Sequence, residues 1–158
     1  PSAAPAPAPE VKSKSCDIKQ VDWKNFDYGG IKLQNGTEAS GGAEYNEGHM
    51  SKLSEVHYAD LDGDRALEAL VLVECPHCGP GMSSFGSLHG YRLDASCAPQ
   101  SVGVLDANGY GGGKVSGRKF IFERNETTMS GPDGPSMESW RVECVMRGGK
   151  LVEKVTPL

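Results

Sequence analysis

The chain has no apolar run long enough to cross a membrane as a helix. Its longest, Ala66 to Val73, is interrupted by Glu68, whereas a helical span needs about 20 apolar residues. It has no surplus of positive charge. Lys and Arg number 16 against 21 Asp and Glu, for a formal net charge of −5, which argues against the basic face that non-specific nucleic-acid binding needs. Helix-favouring runs are scarce, and no stretch could serve as the crossover helix of a βαβ unit, so Rossmann and thioredoxin folds are not expected. Internal repeats are absent, so the length cannot make a propeller. No G-x-S-x-G nucleophile elbow is present, and Gly109–Gly113 lacks the Lys-Ser/Thr ending of a phosphate loop.

What is present is glycine, at 21 of 158 residues, and short apolar segments separated by turn residues. Val56–Ala59, Glu68–Val73, Ser87–Leu93, Val102–Leu105, Lys119–Glu123, Trp140–Met146 and Leu151–Val155 all read as strands. Asn35-Gly36 and Gly148-Gly149 read as tight turns, the second closing a C-terminal hairpin. Asp17–Trp23 reads as a strand or a short helical turn, and a short helix is possible between Glu44 and Leu53. Residues 36–49, Asp106–Gly113 and Asn125–Pro135 read as loops or flexible connections. Strands spaced by roughly ten residues, with turns between them, predict a mainly β domain with little helix. The architecture expected is an antiparallel sandwich or a partly open barrel.

The Pro/Ala tract that opens the chain, Pro1 to Pro9, predicts an extended, solvated tether over residues 1–15. Residues 16–158 then form a single β-rich domain. The tract resembles the spacer that follows the lipidated cysteine of bacterial lipoproteins. That resemblance implies an exported, periplasmic or cell-surface protein, with a lipid anchor upstream of Pro1. Its partner would be a protein or another envelope component.

The five cysteines are Cys16, Cys75, Cys78, Cys97 and Cys144. So many in a small domain fit an oxidising compartment, and the odd count leaves one over. The pairing expected is Cys16 with Cys144, and Cys97 with Cys75 or Cys78. Cys75-Pro-His-Cys78 resembles the active-site tetrapeptide of DsbA-type thiol oxidoreductases, in which the first cysteine opens a helix. Here Gly79-Pro80-Gly81 follows and cannot continue one. A structural disulfide is favoured, with thiol–disulfide exchange as the enzymatic alternative. A soft-metal site of Cys75, His77, Cys78 and Met82 is a third reading.

The sharpest chemical signal is Asp60-Leu-Asp-Gly-Asp-Arg-Ala-Leu-Glu68. Carboxylates at alternate positions of a tight loop can converge on one hard cation, with Asp60, Asp62, Asp64 and Glu68 as side-chain ligands and Ala66 offering its carbonyl. The loop resembles the D-x-D-G-D-G-x-x-D loop of FG-GAP and integrin-type β-propeller repeats, which joins two strands and binds calcium. The resemblance covers nine residues and their flanking strands. It implies a local Ca2+ loop with a structural role, and no catalytic residues. Arg65 stands where that pattern has Gly, and Glu68 where it has Asp. Arg65 also brings a positive charge that could replace the cation. The competing reading is a plain turn in which the carboxylates accept backbone N–H groups.

Overall fold

A computed structural model of the chain describes residues 16–38, 50–79, 84–128 and 132–158. The tether expected over residues 1–15, and most of the segment 36–49, lie outside them. The described residues form eleven strands and two single 3₁₀ turns, Ile18–Gln20 and Trp23–Asn25. The strands are β1 (Asp27–Tyr28), β2 (Ile31–Gln34), β3 (Thr37–Glu38), β4 (Lys52–Ala59), β5 (Glu68–Cys75), β6 (Phe85–Leu93), β7 (Pro99–Asp106), β8 (Tyr110–Ser116), β9 (Lys119–Thr128), β10 (Ser136–Arg147) and β11 (Lys150–Pro157). They make two antiparallel sheets, ordered β1-β2-β3-β4-β5-β6-β7 and β11-β10-β9-β8. Within each sheet every strand pairs with its neighbour in sequence, so each sheet is a meander. The sheets face each other as a sandwich and do not close into a barrel.

Between the sheets lies one apolar core. Leu70, Leu72, Leu88, Val102 and Leu105 of the larger sheet meet Phe120, Phe122, Val142, Cys144 and Leu151 of the smaller. A second cluster lies on the opposite face of the larger sheet. There Ala69, Val71, Val73 and Tyr91 are covered by Ile18, Trp23, Tyr28 and Leu33 from the N-terminal segment. Trp23 and Phe26 pack edge-on or tilted against the Tyr91 ring, with centroids 5.1–5.2 Å apart. Trp23 Nε1 donates to the Tyr58 hydroxyl at 3.1 Å, and the Tyr28 hydroxyl donates to the Trp23 carbonyl.

β5 is therefore buried on both faces, from Glu68 at 2 % exposure through Val73. A strand half-buried in a sandwich alternates apolar and polar residues, whereas one covered on both sides is apolar throughout. Glu68-Ala-Leu-Val-Leu-Val is the second kind.

Three loop assignments need correction. Asp106–Gly113 is not a long flexible connection, because β8 begins at Tyr110 and runs through the glycines. Asn125–Pro135 is loop only in part, because β9 continues through Asn125 to Thr128, while the described residues 132–135 form the turn before β10 begins at Ser136. Thr37–Glu38 forms β3. The helix considered between Glu44 and Leu53 falls partly outside the described residues, and its end, Lys52-Leu53, is the start of β4.

The cysteine pairing also differs from expectation. Cys16 pairs with Cys97 and Cys75 with Cys78, while Cys144 is a buried free thiol. Cys144 points into the inter-sheet core. Cys16 leads into the segment that covers the other face of the larger sheet, so that sheet separates the two sulfurs. Cys97 cannot reach Cys75 or Cys78, because the β5–β6 ladder runs from Ala69↔Tyr91 to Cys75↔Phe85 and the two sites lie at its opposite ends. That ladder spans about 20 Å at a strand's rise per residue.

Candidate functional site: an acidic loop at the head of the central strand

β4 and β5 are antiparallel, with Ala59 opposite Glu68. The residues between them form a tight loop whose own carboxylates fold it. Asp60 Oδ1 accepts the Gly63 N–H at 2.8 Å and Oδ2 accepts the Arg65 N–H at 3.0 Å. Asp62 Oδ1 accepts from Asp64 N–H at 3.1 Å, and Asp64 Oδ1 from Ala66 N–H at 2.8 Å. Glu68 Oε2 accepts the Leu61 N–H at 2.9 Å. These bonds are what short acidic side chains do in turns.

The same bonds bring the carboxylates together. Asp60, Asp62, Asp64 and Glu68 each present an oxygen within 4.8 Å of the others. Asp62 and Asp64 are exposed, and Glu68 forms the buried floor. Each of the five oxygens in backbone bonds has lone-pair capacity left, and Asp62, Asp64 and Glu68 each keep a second oxygen outside those bonds. A cluster of this composition, all hard oxygen donors, can hold a metal ion.

Its electrostatics show the strain of crowding. Burial pushes the Glu68 carboxyl up to about 7; the Leu61 N–H opposes this, and the Asp62 and Asp64 charges add to it. Asp64 is raised despite the Ala66 N–H, by burial and by its Asp62 and Asp60 neighbours. Asp62 is lowered: burial opposes this, but bonds from the Asp64 backbone and within the carboxylate group outweigh it. Like charges this close cannot all ionise without a proton or a cation among them.

Two arginines flank the loop. Arg65 has φ 72, so the position does demand the left-handed backbone that glycine adopts freely and a longer side chain adopts at a cost. Its guanidinium does not replace a cation: among the described residues it makes no ion pair within 4.0 Å. Arg118, in the turn between β8 and β9, lies over Gly63, where an added Cβ would fall 2.5 Å from its guanidinium. Nothing in the sequence marked Arg118, since it reaches the loop from the other sheet.

The second half of the loop borders a hollow of about 320 Å³. Its other walls are Cys16–Ile18 and Arg92–Asp94, so it sits beside the Cys16–Cys97 bridge. Asp94 shapes that corner by accepting from the Ser96 and Ala98 N–H groups and the Ser96 hydroxyl. The acidic loop and the Cys75–Cys78 pair therefore do not share a site. They mark the two ends of β5. His89, on β6, is buried against the Tyr28 ring with its Nε2 2.9 Å from Ser87 Oγ, and burial lowers its pKa to about 4. His57 contacts Glu55 at 2.8 Å and stacks near Phe120, away from the acidic cluster. Met82 and His49 lie outside the described residues. The chain matches no protein-family profile, no curated protein and no solved structure.

Proposed function

We propose that this is an exported β-sandwich domain with a binding or structural role in the cell envelope, fastened by the Cys16–Cys97 bridge and by one calcium ion in the 60–68 loop. The observation that carries the reading is the convergence of four carboxylates within 4.8 Å at the loop joining β4 to the central strand. Asp60, Asp62, Asp64 and Glu68 would hold the ion, with water or backbone oxygens completing a shell of six to eight. Calcium suits this donor set better than zinc or copper, which favour imidazole and thiolate. Because every ligand comes from one loop, the ion's work is to fix the β4–β5 joint. Two disulfides support an oxidising destination. The partner would be a protein or another component of the periplasm or cell surface, with a tether ahead of Cys16 holding the domain near a membrane.

Thermal unfolding in EDTA, then with calcium, magnesium or zinc added, tests the cation. The expected result is a rise in Tm with millimolar calcium that exceeds the rise with magnesium. Identical curves in EDTA and calcium would remove the ion from the proposal.

A further inference from the structure

The far end of β5 carries a covalent feature for which the cation loop has no use. Cys75 is the last residue of the strand and is buried. Its sulfur is bonded to that of Cys78, three residues on and exposed. The Cys78 N–H reaches the Cys75 carbonyl at 3.4 Å, so the bridge closes a single turn on the strand end. A bridge across so short a loop removes little freedom from the unfolded chain, unlike Cys16–Cys97, which spans 81 residues. Fastening the fold is thus a weak reason for it.

The surroundings give a better one. Both cysteines line a hollow of about 230 Å³ whose other walls include Ile31, Val73, Phe85 and Ser87. Phe85 is 43 % exposed, a large apolar ring left on the surface beside a reactive bond. Ile31, which is partly buried against the second apolar cluster, forms one wall of this hollow.

We propose that Cys75–Cys78 is a thiol–disulfide exchange site in which Cys78 is the exchanging sulfur, acting on extended polypeptides that carry two thiols beside an apolar side chain. Access decides which sulfur is attacked, and only the Cys78 side is open. A substrate thiolate bonds to Cys78 Sγ, the Cys75–Cys78 bond breaks, and Cys75 leaves as a thiolate that takes a proton from water. The product is a mixed disulfide on Cys78. The second substrate thiolate then attacks the substrate sulfur of that bond, and Cys78 leaves as a thiolate. The substrate loses two electrons and gains a disulfide; the protein is left with two thiols. A second disulfide-bearing molecule restores the bridge by the same steps in reverse. This activity is independent of the cation site.

The test uses the folded, oxidised chain and a reduced synthetic peptide with two cysteines flanked by leucines, followed by acid quench, alkylation and mass mapping. The expected result is peptide disulfide formed in step with new thiols at Cys75 and Cys78, at least tenfold faster than opening of Cys16–Cys97. Cys75→Ser should accumulate a mixed disulfide on Cys78 when offered the peptide as an activated disulfide, and Cys78→Ser should not. Replacing the leucines by serine should slow the exchange several-fold. The proposal is overturned if Cys75–Cys78 opens no faster than Cys16–Cys97, or opens only in denaturant. The wild-type comparison decides even if Cys75→Ser fails to fold. Equal rates with the serine peptide would overturn the docking role of the hollow.

Discussion

Glu68 Oε2 accepts the Leu61 N–H at 2.9 Å, so the buried carboxylate of the acidic cluster is also the clamp across the neck of its loop. Without a cation, Glu68 pays for this position by holding a proton up to about pH 7. The folded state then binds more protons than the unfolded state between the ordinary glutamate range and about 7. Stability from this group is present below that window and is lost as pH rises through it, with a slope of at most about 1.4 kcal/mol per pH unit. Glu68→Gln keeps an acceptor for Leu61 and removes the charge. In EDTA at pH 8 the variant should be as stable as wild type or more so. It should gain far less from calcium, as read by urea unfolding with and without the ion.

His89 works in the opposite direction. Its pKa is lowered to about 4 by burial alone, so the unfolded state binds the proton more readily between about 6.5 and 4. Stability is full above about 6.5 and falls as pH drops through that range. In EDTA this loss overlaps the gain from Glu68, and the wild-type profile should be shallow. His89→Leu should remove the acid loss and leave stability rising steadily as pH falls from 7 to 5. A variant with the wild-type profile would show that His89 is not held neutral.

Cys144 is wholly buried in the inter-sheet core, and burial pushes its thiol up to about 12, with Glu153 adding to the effect. Native protein should therefore show no thiol reactive toward DTNB, and one should appear on unfolding. Loop length also ranks the two bridges. Losing Cys16–Cys97 should cost about 4 kcal/mol and losing Cys75–Cys78 no more than about 2, measured on Cys→Ser pairs by chemical denaturation.

Arg124 of β9 is buried between the sheets and joins three strands. Its Nη1 donates to the Asp106 carbonyl at 3.0 Å and lies 3.6 Å from Glu153 and 3.7 Å from the Asp106 carboxylate. Among the described residues its Nε has no hydrogen-bond partner, so part of the cost of burial is not recovered. Both acids are partly exposed and screened. Arg124→Ala should destabilise by about 2 kcal/mol, through lost packing as well as lost charge. Arg124→Met, which keeps most of the volume, should cost less than half of that. Equal losses would assign the whole effect to charge.

The readable parts of the fold were those specified by neighbours in sequence. Asn35-Gly36 turns β2 into β3 with both residues at positive φ, and Gly148-Gly149 does the same between β10 and β11. The acidic loop stands where the spacing put it, between two apolar strands. The parts that could not be read depend on distant residues. β8 contains Gly111–Gly113, which have no strand preference of their own. Gly111 and Gly112 fall in a bulge and Gly113 pairs with Phe122 of β9; Phe120 Cζ and the Tyr110 hydroxyl fill the space where a Gly113 side chain would stand, at 2.6 and 2.7 Å. Gly90 likewise gives room to Leu151 from the other sheet, 2.4 Å from where its Cβ would be. The cysteine pairs were hidden for the same reason: which face of the larger sheet each sulfur occupies is decided only when the N-terminal segment folds over β5 and β6. In the loop, the need for positive φ at Arg65 was legible from the Gly at that place in the pattern the loop resembles, but the approach of Arg118 was not.

The most direct test of the cation site is isothermal titration of calcium into EDTA-stripped, desalted protein, run beside Asp62→Ala. Asp62 is exposed and accepts only the Asp64 N–H from the backbone, so the variant should fold. One ion bound per chain by the wild type, with affinity reduced at least tenfold in the variant, is the predicted result. No heat of binding at millimolar calcium, or the same binding by both proteins, would contradict it and leave the loop as a turn held by its own carboxylates.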